Sequence, residues 1–172
     1  FNIDSFDSVD QIVTGCASCT KMLRDYPTIL TDPAYSEKAK QFSKKVVHIS
    51  ELAAKDRYFK VAPLPGKKTK VTYHSSCHLR AAGVSREPRE LLRNNPNIEY
   101  VEMEYADRCA GGAGTFCIKN PEQSEAIFER KRRAIEASGA EIVATSCPAC
   151  MMQLKNGLKG KVEVKHIAEL LQ

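Results

Sequence analysis

The sequence contains no tryptophan, and only 7% of its 172 residues are aromatic. It also lacks any apolar run that approaches the roughly 20 residues needed to span a bilayer, so we do not expect an integral membrane protein. The net charge of +5 comes from dispersed lysines and arginines without interleaved aromatic residues. Nucleic-acid binding is therefore not indicated.

An initial methionine is absent too, because the chain begins with Phe1, and we expect sequence upstream of it. A chain of this length can bury one sizeable core. We therefore expect one domain, or a domain with an adherent fragment, and no second full core.

A dinucleotide-binding fingerprint is missing as well. In the glycine-rich stretch RCAGGAGTFCIK (108–119), Gly111, Gly112 and Gly114 do not follow the Gly-x-Gly-x-x-Gly spacing. Glycines in this setting instead predict positive φ angles and a backbone that packs closely around a bulky group.

What the sequence has in excess is cysteine, with seven residues, an odd number. Four of them form two Cys-x-x-Cys pairs, which suit metal ligation or dithiol chemistry better than a secreted disulfide framework. The pairs are Cys16 with Cys19 and Cys147 with Cys150, and the remaining cysteines are Cys77, Cys109 and Cys117.

The sequence contains an internal echo. VTGCASCTKML (13–23) aligns with ATSCPACMMQL (144–154), and HISEL (48–52) later aligns with HIAEL (166–170). Two echoes in the same order predict a duplication whose first copy is truncated and carries a loop insertion in YPTILTDPAYS (26–36). Chance recurrence of a short helix start is the alternative.

Strands and helices alternate through the second copy. The segment KVTYH (70–74) is β-branched and aromatic and predicts a buried strand. Asn120, Pro121 and Gln123 predict the capped start of a long helix, which Gly139 ends. This alternation predicts an α/β fold, a Rossmann-like parallel sheet flanked by helices. Further predicted elements are strands at 98–103, 141–145 and 162–164 and helices near 88–93 and from 166 onward.

The predicted fold brings distant cysteines together. Cys77, Cys109 and the 147/150 pair each follow a strand, and the carboxyl ends of parallel strands meet at one edge of a sheet. Each Cys-x-x-Cys pair also begins a helix, where free N–H groups favour the thiolate that binds iron or zinc.

The cysteine spacing, with the wording ADRCAGGAGTF and ATSCPACMMQL, resembles the cysteine-rich CCG family. This motif recurs in heterodisulfide reductase subunits and in iron–sulfur subunits of glycolate, lactate and anaerobic glycerol-3-phosphate dehydrogenases, and the chain is most similar to the glycolate/lactate branch. The resemblance implies that residues 1–57 are the C-terminal remnant of a first repeat, 58–68 a linker and 69–172 a complete second repeat.

The resemblance implies a [4Fe–4S] cluster, with zinc as the alternative. The family motif has two adjacent cysteines where this chain has Cys109 followed by Ala110, which leaves four thiolates, enough for a cubane or for zinc. Cys117 is either a fifth sulfur or, as we favour, a small buried apolar side chain. Cys16 and Cys19 form an incomplete second site: free thiols, a disulfide or half of a damaged site. The implied ligands are Cys77, Cys109, Cys147 and Cys150.

Histidines accompany the cysteines. His74 and His78 flank Cys77, and either could hydrogen-bond a cluster sulfur or have a purely structural role. His48 and His166 begin the echoed HI-x-EL segments, and we expect both to be structural.

The resemblance implies an electron-transfer subunit of an oxidoreductase, with no catalytic residues of its own. Electrons would pass from a flavin-containing subunit that oxidises a 2-hydroxy acid to a further carrier, in the cytoplasm or at the inner face of the membrane. Alternatives are a zinc-stabilised or metal-free assembly module and disulfide reduction of the heterodisulfide reductase type. Lys131, Arg132 and Arg133 are expected on a solvated helix face, with docking of an acidic partner as the alternative.

Overall fold

The computed structural model describes residues 1–55 and 61–171. The predicted junction between the 1–57 unit and the linker 58–68 lies outside the described residues, as does Gln172. None of the helices in the described ranges combines the length and the apolar character that crossing a membrane requires.

Residues 1–55 form a two-stranded parallel sheet surrounded by helices. β1 (Ile12–Thr14) pairs in parallel with β2 (Val46–His48). Phe42 from the longest helix of this unit packs against both strands, with Ile12 and Val46 in one buried cluster. The helices are α1 (Asn2–Ser5), α2 (Ala17–Arg24), α3 (Tyr26–Ile29), α4 (Pro33–Lys45) and α5 (Ile49–Lys55).

The expected loop insertion at 26–36 is largely helical, which corrects the sequence prediction. α3 lies within it, and α4 begins at Pro33. The Asp32 carboxylate accepts a hydrogen bond from the backbone N–H of Ala34 at 2.9 Å. An aspartate cap followed by proline at the first helical position starts a helix, and here it outweighs the turn-forming composition.

Residues 61–171 form a four-stranded sheet in which all pairings are parallel, so the predicted α/β architecture is confirmed. The spatial order is β4-β3-β5-β6. The strands are β3 (Thr69–His74), β4 (Ile98–Tyr100), β5 (Ile142–Thr145) and β6 (Glu163–His166), and the helices are α6 (Cys77–Ala81), α7 (Glu87–Asn94), α8 (Phe116–Lys119), α9 (Pro121–Ser138), α10 (Pro148–Leu158) and a final 3-10 helix (Ile167–Leu170).

The boundaries of α9 follow the sequence prediction, but its cap does not. Pro121 is the first helical residue, and Gly139 ends the helix in the left-handed conformation with φ 65°. The Asn120 side chain makes no capping hydrogen bond, so the predicted capping box with Gln123 is wrong. The Asn120 carbonyl instead accepts from the N–H of Ser124 at 2.9 Å.

β4 is shorter than predicted and ends at Tyr100. Beyond Tyr100, the N–H of Met103 donates to the side-chain hydroxyl of Thr72 at 3.1 Å. In a longer strand, this N–H would donate to a backbone carbonyl of the neighbouring strand. The chain therefore leaves the sheet early and forms the long loop that leads to Cys109.

The core lies on both faces of β5. Val143 packs with Phe128 of α9 and Leu154 of α10 in one buried cluster. Ile142 belongs to a second cluster with Tyr73. Since successive strand residues point to opposite faces, these clusters lie on the two sides of the sheet. A strand buried on both faces explains the unbroken apolar run in the sequence.

The echoed HI-x-EL segments have the same local structure. His48 ends β2 and His166 ends β6, and each Nδ1 accepts the N–H two residues onward at 3.2 Å. The N–H of each histidine donates to a glutamate, Glu51 at 2.9 Å and Glu169 at 2.6 Å. Both histidines thus cap a helical turn, as the structural interpretation predicts.

Candidate functional site

The strand order opens a crevice at the carboxyl edge of the larger sheet. β4, which follows β3 in sequence, lies on one side of β3, and β5 lies on the other. In open parallel sheets, ligands bind outside the carboxyl ends of the strands, at the point where the strand order reverses. Cys77 begins α6 just after β3, and Cys147 lies between β5 and α10.

Five cysteines line one cavity of about 480 Å³ at this crevice. The predicted convergence of distant loops is therefore present in the structure. Cys117 is half-buried rather than buried, which contradicts the favoured interpretation of it as an apolar core side chain. The five are Cys77, Cys109, Cys117, Cys147 and Cys150.

The Cys147–Cys150 turn stabilises a thiolate on its first cysteine. The Cys150 thiol and the backbone N–H groups of Cys150 and Ala149 favour a negative charge on Cys147, and the Ser18 hydroxyl lies 3.7 Å from its sulfur. Together these donors outweigh burial and lower the pKa of Cys147 to about 5. Donation to Cys147 and burial raise the pKa of Cys150. The metal-free pair is thus one thiolate and one thiol.

Of the two flanking histidines, His78 is the one close to a sulfur. Its Nδ1 lies 3.8 Å from the sulfur of Cys77 and 3.4 Å from the hydroxyl of Ser18. His74 is 1% exposed, and burial lowers its pKa to about 3. Among the described residues its Nδ1 has no hydrogen-bond partner.

The loop before Cys109 is held from one side by α7. The Nε of Arg89 on this helix donates to both carboxylate oxygens of Glu102, at 2.9 and 3.0 Å, and its Nη2 donates to Asp107 at 2.9 Å. Partial burial acts to raise the pKa of Asp107, but hydrogen bonds from Arg89 and Ser75 lower it overall. These paired charges fix the path of the loop.

The same loop is held from the other side by Lys131 of α9. Its Nζ donates to the carbonyl of Tyr105 at 2.7 Å and to that of Ala106 at 3.2 Å. Lys131 is 3% exposed, so the solvated helix face expected for it is wrong. Its spacing from the buried Ser124, Phe128 and Ile135 is the helical signal that could have revealed this position.

The glycine-rich stretch packs against α9. Gly111 has φ 91°, and a Cβ there would lie 2.6 Å from the carbonyl oxygen of Ser124. The Ser124 hydroxyl donates to the Gly111 carbonyl at 2.9 Å. The predicted positive φ and close backbone packing are therefore present at Gly111, which lies against α9, while Gly112 and Gly114 line the cysteine cavity. The N–H of Gly111 donates to the sulfur of Cys109 at 3.3 Å.

The first Cys-x-x-Cys pair lies beside the cavity without lining it. The N–H of Ala17 donates to the carbonyl of Ser146 at 3.0 Å, which joins the two Cys-x-x-Cys turns. Ser18, between Cys16 and Cys19, lines the cavity, a contact that the sequence did not reveal. A hydrogen bond with Cys16, followed by burial and the charges of Cys16 and Cys147, raises the pKa of Cys19. All seven cysteines are free.

The spacing of the ligands bears on which inorganic group fits. In residues 1–55 and 61–171, no three His, Cys, Asp or Glu side chains are grouped to hold a single metal ion. Zinc with Zn–S bonds of about 2.3 Å needs tetrahedral sulfurs about 3.8 Å apart. The cysteines instead surround an open cavity, which fits a polynuclear group better than one ion.

A parallel α/β sheet whose crevice is lined by several cysteines defines a cysteine-rich domain. The chain belongs to the family of that name, CCG, whose sequence model matches residues 71–155.

Particular relatives narrow the comparison. The chain is 36% identical to "Probable glycolate oxidase iron-sulfur subunit" of Bacillus subtilis (strain 168), over 99% of this chain and 40% of the relative. It is 33% identical to "Lactate utilization protein A" of the same organism, over 98% and 73%. It is 35% identical to one of the subunits of "Fumarate reductase (CoM/CoB)" from Methanothermobacter marburgensis, over 99% and 33%. The chain thus spans well under half the length of two of these relatives.

Proposed function

We propose that this chain is an iron–sulfur, electron-transfer part of an oxidoreductase. The observation that carries the proposal is the ring of five cysteines around one cavity at the sheet edge. Similarity to a protein named as an iron–sulfur subunit supports it. The proposed ligands of a [4Fe–4S] cluster are Cys77, Cys109, Cys147 and Cys150.

A bound cluster supplies one-electron transfer, and the residues of the chain hold it. Backbone N–H groups at the start of α10 and the Ser18 hydroxyl keep Cys147 as a thiolate. The N–H of Gly111 and the imidazole of His78 lie beside the sulfurs of Cys109 and Cys77. Such contacts to sulfur tune the potential of a cluster.

The ligand count follows from position 110. Ala110 is 2% exposed and lines the cavity, so a second adjacent sulfur is replaced by a methyl group. We infer an ordinary cubane, for which four thiolates suffice. Cys117, on the same cavity, is the candidate for a fifth sulfur.

The electron donor is inferred from the names of two relatives. We propose that a flavin-containing subunit oxidises a 2-hydroxy acid of the glycolate or lactate type and passes electrons through this chain to a further carrier. The assembly would work in the cytoplasm, alone or at the inner face of the membrane. We also propose that residues 1–57 are the remnant of a first repeat, 58–68 a linker and 69–172 a complete second repeat.

Anaerobic quantification of iron, sulfide and zinc tests the proposal. We expect iron and sulfide in equal amounts, broad visible absorbance and a paramagnetic signal on reduction. Cys109→Ala should abolish all three, whereas Cys117→Ala should retain them if four thiolates suffice. Full zinc occupancy without iron in protein prepared without oxygen would support the zinc-stabilised module instead.

A second candidate function is dithiol chemistry, which the thiolate–thiol state of the 147/150 pair favours. Cys147 would attack a small disulfide and release one thiolate. Cys150 would then displace the second thiol and lose its own proton, which leaves a Cys147–Cys150 disulfide. One equivalent of small disulfide consumed by metal-free protein, retained in Cys109→Ala and lost in Cys147→Ala, would support it.

A further inference from the structure

We propose that Lys131 is a positioning residue and the buried counter-charge of the cysteine site. Its ammonium group clamps the loop that carries Cys109, and its charge raises the reduction potential of a cluster bound there. The part that concerns the potential rests on the proposed function; the clamping of the loop does not.

The position of Lys131 is unusual for a lysine. It is the one lysine or arginine among the described residues that is buried. Its Nζ is held by the carbonyls of Tyr105 and Ala106, with the sulfur of Met103 3.9 Å away. The loop is thereby tied to α9 shortly before it reaches Cys109.

No carboxylate neutralises this charge directly. Within residues 1–55 and 61–171, Lys131 forms no ion pair at or below 4.0 Å, whereas its neighbours Arg132 and Arg133 are paired with Glu129. A buried charge that has only dipoles around it is costly, so a functional reason for keeping it is expected.

Burial lowers the pKa of Lys131 to about 8, and the charge of Asp107, on the loop that leads to Cys109, is the largest influence that opposes this change. Lys131 and Cys109 also line a common cavity of about 410 Å³ between the loop and α9. Lys131 is thus buried between α9 and the loop that carries Cys109, where water screens its charge less than at the surface.

A fixed cation at this place affects both metal-free and loaded protein. Without a cluster, it holds the loop that carries Cys109 through the carbonyls of Tyr105 and Ala106. With a cluster, reduction adds an electron to a thiolate-ligated group that is already negative, and a buried positive charge stabilises that reduced form. The reduction potential is therefore higher with Lys131 than without it.

The test compares four variants of the full chain. Lys131→Met removes the charge and the donor, Lys131→Gln removes the charge but keeps an amide donor, and Lys131→Arg keeps the charge. The matched control is Arg130→Met, which removes a positive charge from the exposed adjacent position on the same helix. Iron and sulfide content and circular dichroism are measured for each.

In iron-loaded protein, we expect Lys131→Met and Lys131→Gln to lower the equilibrium constant for reduction about tenfold, a shift of about 59 mV for a one-electron couple. Lys131→Arg and Arg130→Met should stay near the unmodified protein. Unchanged potentials in Lys131→Gln and Lys131→Met, with clusters intact, would overturn the role in the potential.

In metal-free protein, amide hydrogen exchange of the loop that leads to Cys109 is followed by mass spectrometry. Lys131 donates to two carbonyls of this loop, so the exchange rate reports the clamp without any cluster. We expect several-fold faster exchange in Lys131→Met than in Lys131→Arg and Arg130→Met. Equal rates would refute the clamp. Faster exchange in a protein that never takes up iron would retain the clamp while the iron–sulfur function failed.

Discussion

Cys147 shows how much chemistry a single residue receives from its surroundings. Its sulfur lies at the start of α10, where the thiol of Cys150 and two backbone N–H groups favour the anion. Ser18, from the other Cys-x-x-Cys turn, adds a hydroxyl at 3.7 Å. The thiolate required for metal binding is thus prepared before any metal arrives.

We expect the ultraviolet absorbance of the Cys147 thiolate in metal-free protein to persist as the pH falls, with a midpoint near pH 5, and this readout needs no reagent access to the buried sulfur. Cys150→Ala removes the strongest donor to the thiolate, so the midpoint should move to higher pH, and Ser18→Ala should produce a smaller shift in the same direction. Ser43→Ala is the control, because that hydroxyl donates to the Lys40 carbonyl on α4. A midpoint that is the same in all four proteins would contradict the assigned donors.

Alanine substitutions at Gly111 and Gly114 distinguish the cost of backbone strain from the cost of steric overlap. Both have positive φ, 91° and 61°. A Cβ at Gly111 would lie 2.6 Å from the Ser124 carbonyl, whereas a Cβ at Gly114 meets nothing within 4 Å. Gly114→Ala should therefore cost about 1 kcal/mol of unfolding free energy, and Gly111→Ala at least about 2 kcal/mol more. Urea unfolding measures both; equal losses would show that the loop moves away from α9.

Among the helices, α10 depends on its contact with α9. Gly157 lies within α10, and a Cβ there would be 2.0 Å from the ring of Phe128, which is fully buried. The glycine costs roughly 1 kcal/mol in helix propensity, but it leaves space for the aromatic ring. The helix accepts a poor helix former because the core requires the space.

Gly157→Ala should lower the unfolding free energy by about 1–3 kcal/mol despite its better helix propensity, because the ring cannot leave a closed core. Phe128→Leu replaces the aromatic ring, which a Cβ at position 157 would overlap, with a shorter side chain. The double variant should therefore be more stable than the sum of the two single losses predicts, by at least about 1 kcal/mol. Additive losses in denaturant unfolding would show that the overlap is relieved elsewhere.

Taken over the whole molecule, stability against acid is governed in part by buried histidines. Burial lowers the pKa of His74 to about 3 and that of His48 to about 4, from 6.5. The unfolded chain therefore binds more protons than the folded chain once the pH falls below 6.5. The histidine contribution is complete above pH 6.5 and is lost as the pH falls toward 3.

We expect the unfolding free energy of metal-free protein to fall by a few kcal/mol between pH 7 and pH 4, since one pKa unit corresponds to about 1.4 kcal/mol. His74→Asn and His48→Asn should each flatten this dependence, whatever their effect at neutral pH. Ser43→Ala, which removes no titratable group, should leave the slope unchanged. Identical slopes in all four proteins would mean that other groups govern the acid sensitivity.

Local sequence signals predicted much of the fold. Hydrophobic runs identified the strands, and Pro121 and Gly139 marked α9 because their effects act on their own backbone. The convergence of cysteines also followed, since the carboxyl ends of parallel strands must share an edge. These inferences needed no knowledge of which elements touch.

Other features depended on contacts between distant segments. The burial of Lys131 needs the carbonyls of a loop far away in sequence, and Ser18 reaches the cavity because its turn packs against Ser146. His78, rather than His74, lies near a sulfur because the end of β3 directs one side chain inward and α6 exposes the other. Periodicity and turn chemistry are properties of neighbours along the chain and can be read from the sequence. Which charge is buried, and which hydroxyl meets which sulfur, are set by packing between elements, where small shifts of a helix or loop decide the outcome.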